Sequence, residues 1–460
     1  MTDSLDCFTA YDVRGQLGVN FNEDICSRIG RAFVRVLNAR TVVVGCDSRL
    51  SSPRLAQSVI KSLISEGVEV LDLGMAGTEE VYFATSYFGA DGGIEITASH
   101  NPEDYNGLKM VKSNSRPLDA KLELLKIKVL AENDNFSDSR IKGKYNDVSK
   151  IAREAYVTKV LSLINIPLVN NLKIIVNCGN GAAGPTFDAI AKQLTNLGAN
   201  INFILIGFEP DGTFPNGVPN PSLPKNHEIT SNAVINHKAD FGIAFDGDFD
   251  RCFFFDECGE FVPSEYIIGL FAGYFLDKES GARIVHDPRL VWNNENIILK
   301  KGGKPIQSRT GHAFVKQVMR DENAIYGGEM SGHHYFRDFY FCDSGMIPWL
   351  IMINLISKSN SKLSALIKRS SSAFPSSGER NFVVENVRKV IKSVEKNYES
   401  IALKIEKLDG ISFSFQDWRF NIRPSNTEPL LRLNVESKGN PSLVEEKVKE
   451  IELLLFNSCD

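Results

Sequence analysis

Thr97-Ala98-Ser99-His100-Asn101-Pro102 puts a hydroxyl beside an imidazole, and Lys109 follows ten residues after the serine. Asn101-Pro102 stops regular structure, because proline restricts the residue before it and donates no backbone hydrogen bond. Ser99 therefore sits on a tight turn, where a nucleophile or a turn serine bonding its own backbone could equally stand. Asp246-Gly247-Asp248-Phe249-Asp250-Arg251 is the second constellation. Three carboxylates at alternate positions can converge on one hard divalent cation if the backbone curls, and oxygen donors suit Mg²⁺ or Ca²⁺. An EF-hand would need glycine where Arg251 stands, and the strand-like Cys252-Phe253-Phe254-Phe255 follows instead of a loop. Three aspartates leave room in the coordination sphere for a phosphate oxygen.

Two further loops carry recognition chemistry. Gly327-Gly328-Glu329-Met330-Ser331-Gly332-His333-His334 offers a carboxylate, a hydroxyl and imidazoles, a mixture suited to sugar hydroxyls. Thr310-Gly311-His312 is a lesser candidate of the same kind, or a core histidine. Arg423-Pro424-Ser425-Asn426-Thr427-Glu428-Pro429 supplies a guanidinium fork, hydroxyls, an amide and turn N–H groups, the inventory for holding phosphate without a metal. Gly179-Asn180-Gly181-Ala182-Ala183-Gly184 matches the dinucleotide fingerprint. That fingerprint wants a carboxylate about twenty residues on, and Gly198-Ala199-Asn200-Ile201-Asn202 has none. A tight strand-to-helix turn is the better reading, with a dinucleotide-dependent oxidoreductase as the rival.

The elements that must position these loops alternate. Ile25, Ile29, Phe33 and Val36 space a helix, Thr41–Gly45 reads as a buried strand, Pro53–Ser65 as a helix and Val68–Leu73 as a strand. Alternation of this kind means α/β units and sheets with parallel character. Polar residues 133–150 mark a first boundary, and Leu172–Val176 with Asn200–Leu205 builds the next unit. Residues 209–224, rich in Pro, Gly and Asn, form a functional loop or hinge. After a turn at Asp256–Glu260 come a helix over 266–276, a strand over 282–285 and a helix over 310–319. Ser357–Lys362 is the last join. A final helix is opened by a capping box at Ser442-Leu443-Val444-Glu445, with Val444, Val448, Ile451 and Leu455 on its buried face. The reading is α/β, with three similar mixed-sheet domains and a different, α+β domain at the C-terminus. The expected domains span residues 1–144, 145–258, 259–370 and 371–460.

Composition narrows the function. At 460 residues the chain is too long for one core, and a formal charge of −5 argues against nucleic acid or membrane as the main partner. Eight scattered cysteines without a C-x-x-C pair speak against zinc or a disulfide framework. The N-terminus lacks the pattern of a signal peptide, and the longest apolar run, Met346–Ile356, is too short to span a bilayer. The expected compartment is cytoplasmic. A non-enzymatic Ca²⁺-binding protein would rest on Asp246–Glu257 alone.

Taken together, a turn serine, a three-aspartate loop, a sugar-reading loop and a phosphate clamp follow one another in one order. In this the chain resembles the α-D-phosphohexomutases, and among them the bacterial phosphomannomutase branch, along essentially its whole length. Asp287-Pro288-Arg289-Leu290 and Ala324-Ile325-Tyr326-Gly327 share that likeness. The resemblance implies four domains around a central active-site cleft, with Ser99 as a phosphoserine. It implies Mg²⁺ on Asp246, Asp248, Asp250 and Ser99, and a hexose 1,6-bisphosphate as intermediate and activator. Glu329, Ser331, Thr310, Gly311, His312 and His333 would read the sugar, and Arg423, Ser425, Asn426 and Thr427 would hold its phosphate. Arg14, His100, Lys109, Arg251 and His333 would be catalytic, with Lys109 and His333 as candidates to move protons. The implied reaction interconverts mannose 6-phosphate and mannose 1-phosphate for GDP-mannose supply, in a monomer or weak homodimer; a phosphoglucomutase or dual-specificity enzyme would share every motif. Two positions depart from the pattern: Arg289 replaces a common lysine, and Asn216 stands where histidine is frequent.

Overall fold

The apolar run at Val42–Val44 lies in the strand Thr41–Cys46 of a computed structural model that describes residues 4–164, 171–384, 386–424 and 430–457. Val42 and Val44 enter one core with the helices Glu23–Leu37 and Ser52–Ser65, while Val43 enters another with Val81 and Ala84 of the helix Thr78–Tyr87. A parallel strand covered on both faces becomes apolar at every position, which is why the run does not alternate.

The chain divides into two compact units, residues 1–261 with 332–360, and residues 262–331 with 361–460. Among the described residues the first unit holds two large sheets besides the short antiparallel pair His334–Phe336 and Cys342–Asp343. One runs in the order Val13–Gln16, Tyr105–Lys112, Gly92–Ile96, Thr41–Cys46, Glu69–Met75, Lys144–Asp147. Its centre is parallel, and the pairings of Gly92–Ile96 with Tyr105–Lys112, and of that strand with Val13–Gln16, are antiparallel. The polar stretch 133–150, expected as a join, supplies the strand Lys144–Asp147, which extends this sheet parallel to Glu69–Met75. In the other sheet Phe241–Phe245 pairs in parallel with Leu172–Asn177 and antiparallel with Cys252–Phe255. The apolar run near 346–356 forms the helix Met346–Ser359, buried along most of its length. No helix among the described residues is long and apolar enough to cross a membrane.

In the second unit, Lys304–Gln307, Arg283–His286 and Tyr326–Gly328 are parallel strands between the helices Ser264–Lys278, Trp292–Lys300 and His312–Asp321. Five strands form an antiparallel sheet in the order Ser376–Val383, Leu430–Ser437, Trp418–Pro424, Ile411–Ser414, Lys404–Glu406. The helices Val387–Tyr398 and Pro441–Asn457 share its core, and Val444, Val448, Ile451 and Leu455 are buried as their spacing predicts. The start of that last helix needs correction. Its cap is Asn440, whose Oδ1 accepts from Leu443 N, with Pro441 as the first helical residue, rather than a box opened by Ser442.

Candidate active site

Ser99 and the three aspartates sit just beyond the carboxyl ends of strands Gly92–Ile96 and Phe241–Phe245, where open α/β sheets place ligands. Ser99 has φ 52°, a left-handed conformation that is costly for a residue with a Cβ. Strain of this kind, about 1–3 kcal/mol, persists only where the surroundings over-determine it, and here they do. Ser99 N donates to Thr97 Oγ1 (2.8 Å), and Thr97 Oγ1 donates to Asp47 Oδ2 (2.7 Å). The buried guanidinium of Arg49 then collects four carbonyl oxygens of the loop, those of Ser99, Asn101, Pro102 and Tyr105, at 2.6–3.1 Å.

The serine hydroxyl faces the aspartate loop. Its Oγ donates to Asp246 Oδ2 at 2.8 Å, lies 3.1 Å from His100 Nδ1 and accepts from Arg251 Nη2 at 3.3 Å. Gly247 lets the two loops meet: a Cβ there would come within 2.5 Å of the Ser99 carbonyl oxygen. Phe249, left-handed at φ 45°, packs its ring where any side chain on Gly77 would have to go. Lys109 Nζ bridges Asp248 Oδ2 (2.6 Å) and Asp250 Oδ2 (2.5 Å), and Thr78 Oγ1 donates to Asp248 Oδ2 at 2.6 Å. Arg14 donates to Asn101 Oδ1 (2.6 Å) and to Asp12, which fixes it beside the serine loop. His333 Nε2 is 3.5 Å from Asp250 Oδ1. Ser99, His100, Arg14, Lys109, Asp246, Asp248, Asp250, Arg251 and His333 are thus brought together within the first unit.

Electrostatics sort these groups by role. Burial raises the Asp246 carboxyl, against the pull of Arg251. Burial also works against ionised Asp248 and Asp250, yet Lys109 and its neighbours hold both below the ordinary carboxylate range. Burial followed by the charge of Arg251 drives His100 well below the usual imidazole range, so it is neutral. Lys109 is also buried, but Asp248 and Asp250 outweigh that and raise its pKa. In this arrangement its ammonium balances the charge of the aspartate loop.

The aspartates fit a divalent cation. One carboxylate oxygen from each of Asp246, Asp248 and Asp250 lies within 4.8 Å of the others. Asp248 Oδ1 is buried and accepts no hydrogen bond among the described residues. A buried, unspent carboxylate oxygen in an all-oxygen cluster is what a hard cation needs. Asp250 is shared with a second grouping of the same size, formed with His333 and Asp343.

The recognition residues fall in the second unit. Gly311 N donates to Glu329 Oε1 at 2.7 Å, which ties Thr310-Gly311-His312 to the Glu329–Ser331 loop. Asp287 accepts from Met330 N and from Arg289, so Asp287, held by Arg289, ties down the same loop. Arg423 is buried at the end of Trp418–Pro424, and Ser425, Asn426 and Thr427 lie outside the described residues. The fingerprint turn at Gly179–Gly184 is structural: Ala182 N donates to Gly247 O at 3.0 Å, and a Cβ on Gly181 would meet that same oxygen. Sequence reasoning missed Asp47, Arg49, Thr78 and Asp343. Asp47-Ser48-Arg49 directly after a buried parallel strand was the available signal for two of them; Thr78 and Asp343 carry none.

Comparison with known proteins agrees with this arrangement. The description "Phosphoglucomutase/phosphomannomutase, alpha/beta/alpha domain I" matches residues 6–137, its domain II 154–259, its domain III 263–374 and the family's C-terminal domain 379–454. A phosphomannomutase of Salmonella montevideo is 52% identical over 458 residues, covering 99% of this chain and 100% of the relative. One from Escherichia coli K12 is 51% identical, covering 98% and 99%. Phosphohexose mutases of Xanthomonas campestris are 45% identical at 98% and 99% coverage. Among solved structures, a phosphoglucomutase/phosphomannomutase family protein of Burkholderia thailandensis superposes with TM-score 0.87 at 30% identity, covering 100% of this chain and 98% of that one.

Proposed function

Because the chain belongs to the phosphoglucomutase/phosphomannomutase family, we propose that it is a phosphomannomutase. It interconverts mannose 6-phosphate and mannose 1-phosphate through a phosphoserine at Ser99 and a bound hexose 1,6-bisphosphate. The observation that carries this reading is Ser99 Oγ, held on a strained turn 2.8 Å from Asp246 and within reach of Arg251.

The phosphoryl group on Ser99 passes to the free hydroxyl of the hexose monophosphate. The bond from Ser99 Oγ to phosphorus breaks, the bond to the sugar oxygen forms, and the sugar hydroxyl's proton passes, by way of a carrier, to the departing Ser99 Oγ. The bisphosphate turns over and returns its other phosphoryl group to Ser99 Oγ. Charge spreads over the phosphoryl oxygens on the way, so fixed cations aimed at them provide most of the stabilisation. Arg251 donates directly to Ser99 Oγ and Arg14 is anchored beside the loop, which suits both to that task. Asp246, Asp248 and Asp250 would hold Mg²⁺, which when bound adds neutralising charge to the transferring group. His100, neutral and wedged beside Arg251, orients the guanidinium. His333 is the candidate proton carrier. Glu329, Ser331 and Thr310–His312 read the sugar, and Arg423 with Ser425, Asn426 and Thr427 accepts each phosphate in turn.

The test compares mannose 1-phosphate with glucose 1-phosphate, in Mg²⁺ and a trace of hexose 1,6-bisphosphate. Faster turnover of the mannose substrate is expected; equal rates would make the enzyme a dual-specificity phosphohexomutase. Ser99→Ala removes nearly all turnover, and a variant keeping half the activity would sink the mechanism.

A further inference from the structure

The C-terminal sheet puts two arginines directly opposite one another. In the antiparallel pairing of Trp418–Pro424 with Leu430–Ser437, Arg423 faces Arg432. Like charges directly across a ladder destabilise it unless an anion intervenes. Glu379 intervenes from the neighbouring strand Ser376–Val383: its neighbour-but-one Asn381 pairs with Arg432, so Glu379 lies diagonally on the same face. Its Oε1 lies 3.1 Å from Arg432 Nη1, and its Oε2 accepts from Arg423 Nη2 at 3.3 Å. A third guanidinium arrives from outside the sheet, Arg289 Nη1 at 2.8 Å from the same Oε2.

Three guanidiniums therefore share one carboxylate, and two features show that the arrangement has spare capacity for an anion. Arg423 is 2% exposed, yet its Nε donates to nothing among the described residues. Glu379 itself keeps 23% of its side chain in contact with solvent, so an incoming anion can reach it and it can swing aside. Arg289 is held independently by Asp287, so it keeps its place when Glu379 lets go.

We propose that Glu379 is an internal anion that competes with the substrate's phosphate for Arg423, Arg432 and Arg289, setting how tightly the distal phosphate is held and how fast it is released. This rests on the reading of Arg423 as part of the phosphate clamp. A phosphate dianion has one more charge and more acceptor oxygens than a carboxylate, so it displaces Glu379 on arrival. The mutase cycle then requires the clamp to let one phosphate go and take the other while the bisphosphate stays bound. A carboxylate waiting on the adjacent strand recaptures the guanidiniums at that moment and lowers the cost of release. Glu379 is thus a positioning and affinity-setting residue; it touches no reacting atom.

The experiment measures binding of inorganic phosphate by calorimetry, and steady-state kinetics with mannose 1-phosphate, for the wild type, Glu379→Gln, Glu379→Asp and Arg423→Gln. Glu379→Gln is expected to bind phosphate about tenfold tighter, equivalent to about 1.4 kcal/mol, with KM lowered in step and kcat reduced because release slows. Glu379→Asp keeps the charge with a shorter reach and falls between the two, which also covers the case of a poorly folding Gln variant. Arg423→Gln binds phosphate at least about tenfold more weakly. If Glu379→Gln and Glu379→Asp bind phosphate no better than wild type while Arg423→Gln loses it, Glu379 is a structural tie and the inference is overturned with the clamp intact. If Arg423→Gln binds phosphate as well as wild type, the clamp reading fails and the inference falls with it.

Discussion

Replacing Lys109 by methionine tests whether the aspartate loop is an incomplete cation site balanced by a protein charge. The stem is retained and only the ammonium is lost. In the wild type that ammonium lies 2.6 Å from Asp248 and 2.5 Å from Asp250, with 5% of the lysine side chain and at most 1% of either aspartate exposed. Removing one partner of a buried ion pair costs about 3–5 kcal/mol, because the remaining charge is left uncompensated. For a domain of roughly 150–250 residues each kcal/mol moves Tm by about 2–4 °C, and the compact unit that holds this site is of that order or slightly larger. The metal-free variant should therefore melt about 10 °C below metal-free wild type. A divalent cation supplies the missing charge to the same carboxylates, and binding at one hundred times Kd returns about 2.7 kcal/mol. The assay is thermal melting in EDTA and across a Mg²⁺ series. The variant should show the lower melt in EDTA, the larger rise with Mg²⁺ and a midpoint at lower Mg²⁺ concentration. Coincident melts in EDTA with equal Mg²⁺ shifts would refute the reasoning, since Lys109 and the cation would then not be sharing one set of charges.

Two more predictions concern the supports of the serine loop. Gly247→Ala puts a methyl group within 2.5 Å of the Ser99 carbonyl oxygen, a backbone atom that cannot step aside cheaply; a misplacement of about 1 Å costs about 100-fold in rate, so kcat should fall by that order while circular dichroism is unchanged, and wild-type kcat would contradict it. Glu95 lies on the strand that leads into the loop, with both carboxyl oxygens buried and no hydrogen-bond partner among the described residues. Burial first, then the charge of Asp47, raises its pKa well above the usual value. The folded state therefore holds a proton that the unfolded carboxyl loses near about pH 4.3. Stability from this group is fully present below that pH and is lost as pH rises through the folded pKa, at up to about 1.4 kcal/mol per pH unit. Glu95→Gln should flatten this part of the stability–pH curve measured by denaturant unfolding; parallel curves for the two proteins would count against it.

Much of this site could be read from residue order because its groups are local in sequence. Asp246, Asp248 and Asp250 lie on one turn, and Ser99 is flagged by the proline three residues on. What escaped is what the fold brings from elsewhere. Arg49 reaches the serine loop only because Thr41–Cys46 and Gly92–Ile96 are adjacent parallel strands, a pairing that no local pattern announces. Thr78 meets Asp248 across 170 positions. Lys109 was found by its motif, but its pairing with two carboxylates some 140 residues away was not. The same limit holds for the elements. The helix faces at 25–36 and 444–455 follow from periodicity, whereas Lys144–Asp147 is too short and polar to be seen as a strand until the edge of Glu69–Met75 is there to pair with.

The most direct test of the central claim is a single turnover starting from enzyme labelled with phosphate at Ser99. Mixed with mannose 6-phosphate and quenched at short times, the label should leave the peptide containing Ser99 and enter hexose bisphosphate at a rate at least equal to kcat. Label that stays on the protein, or leaves more slowly than the enzyme turns over, would show that Ser99 does not carry the phosphoryl group.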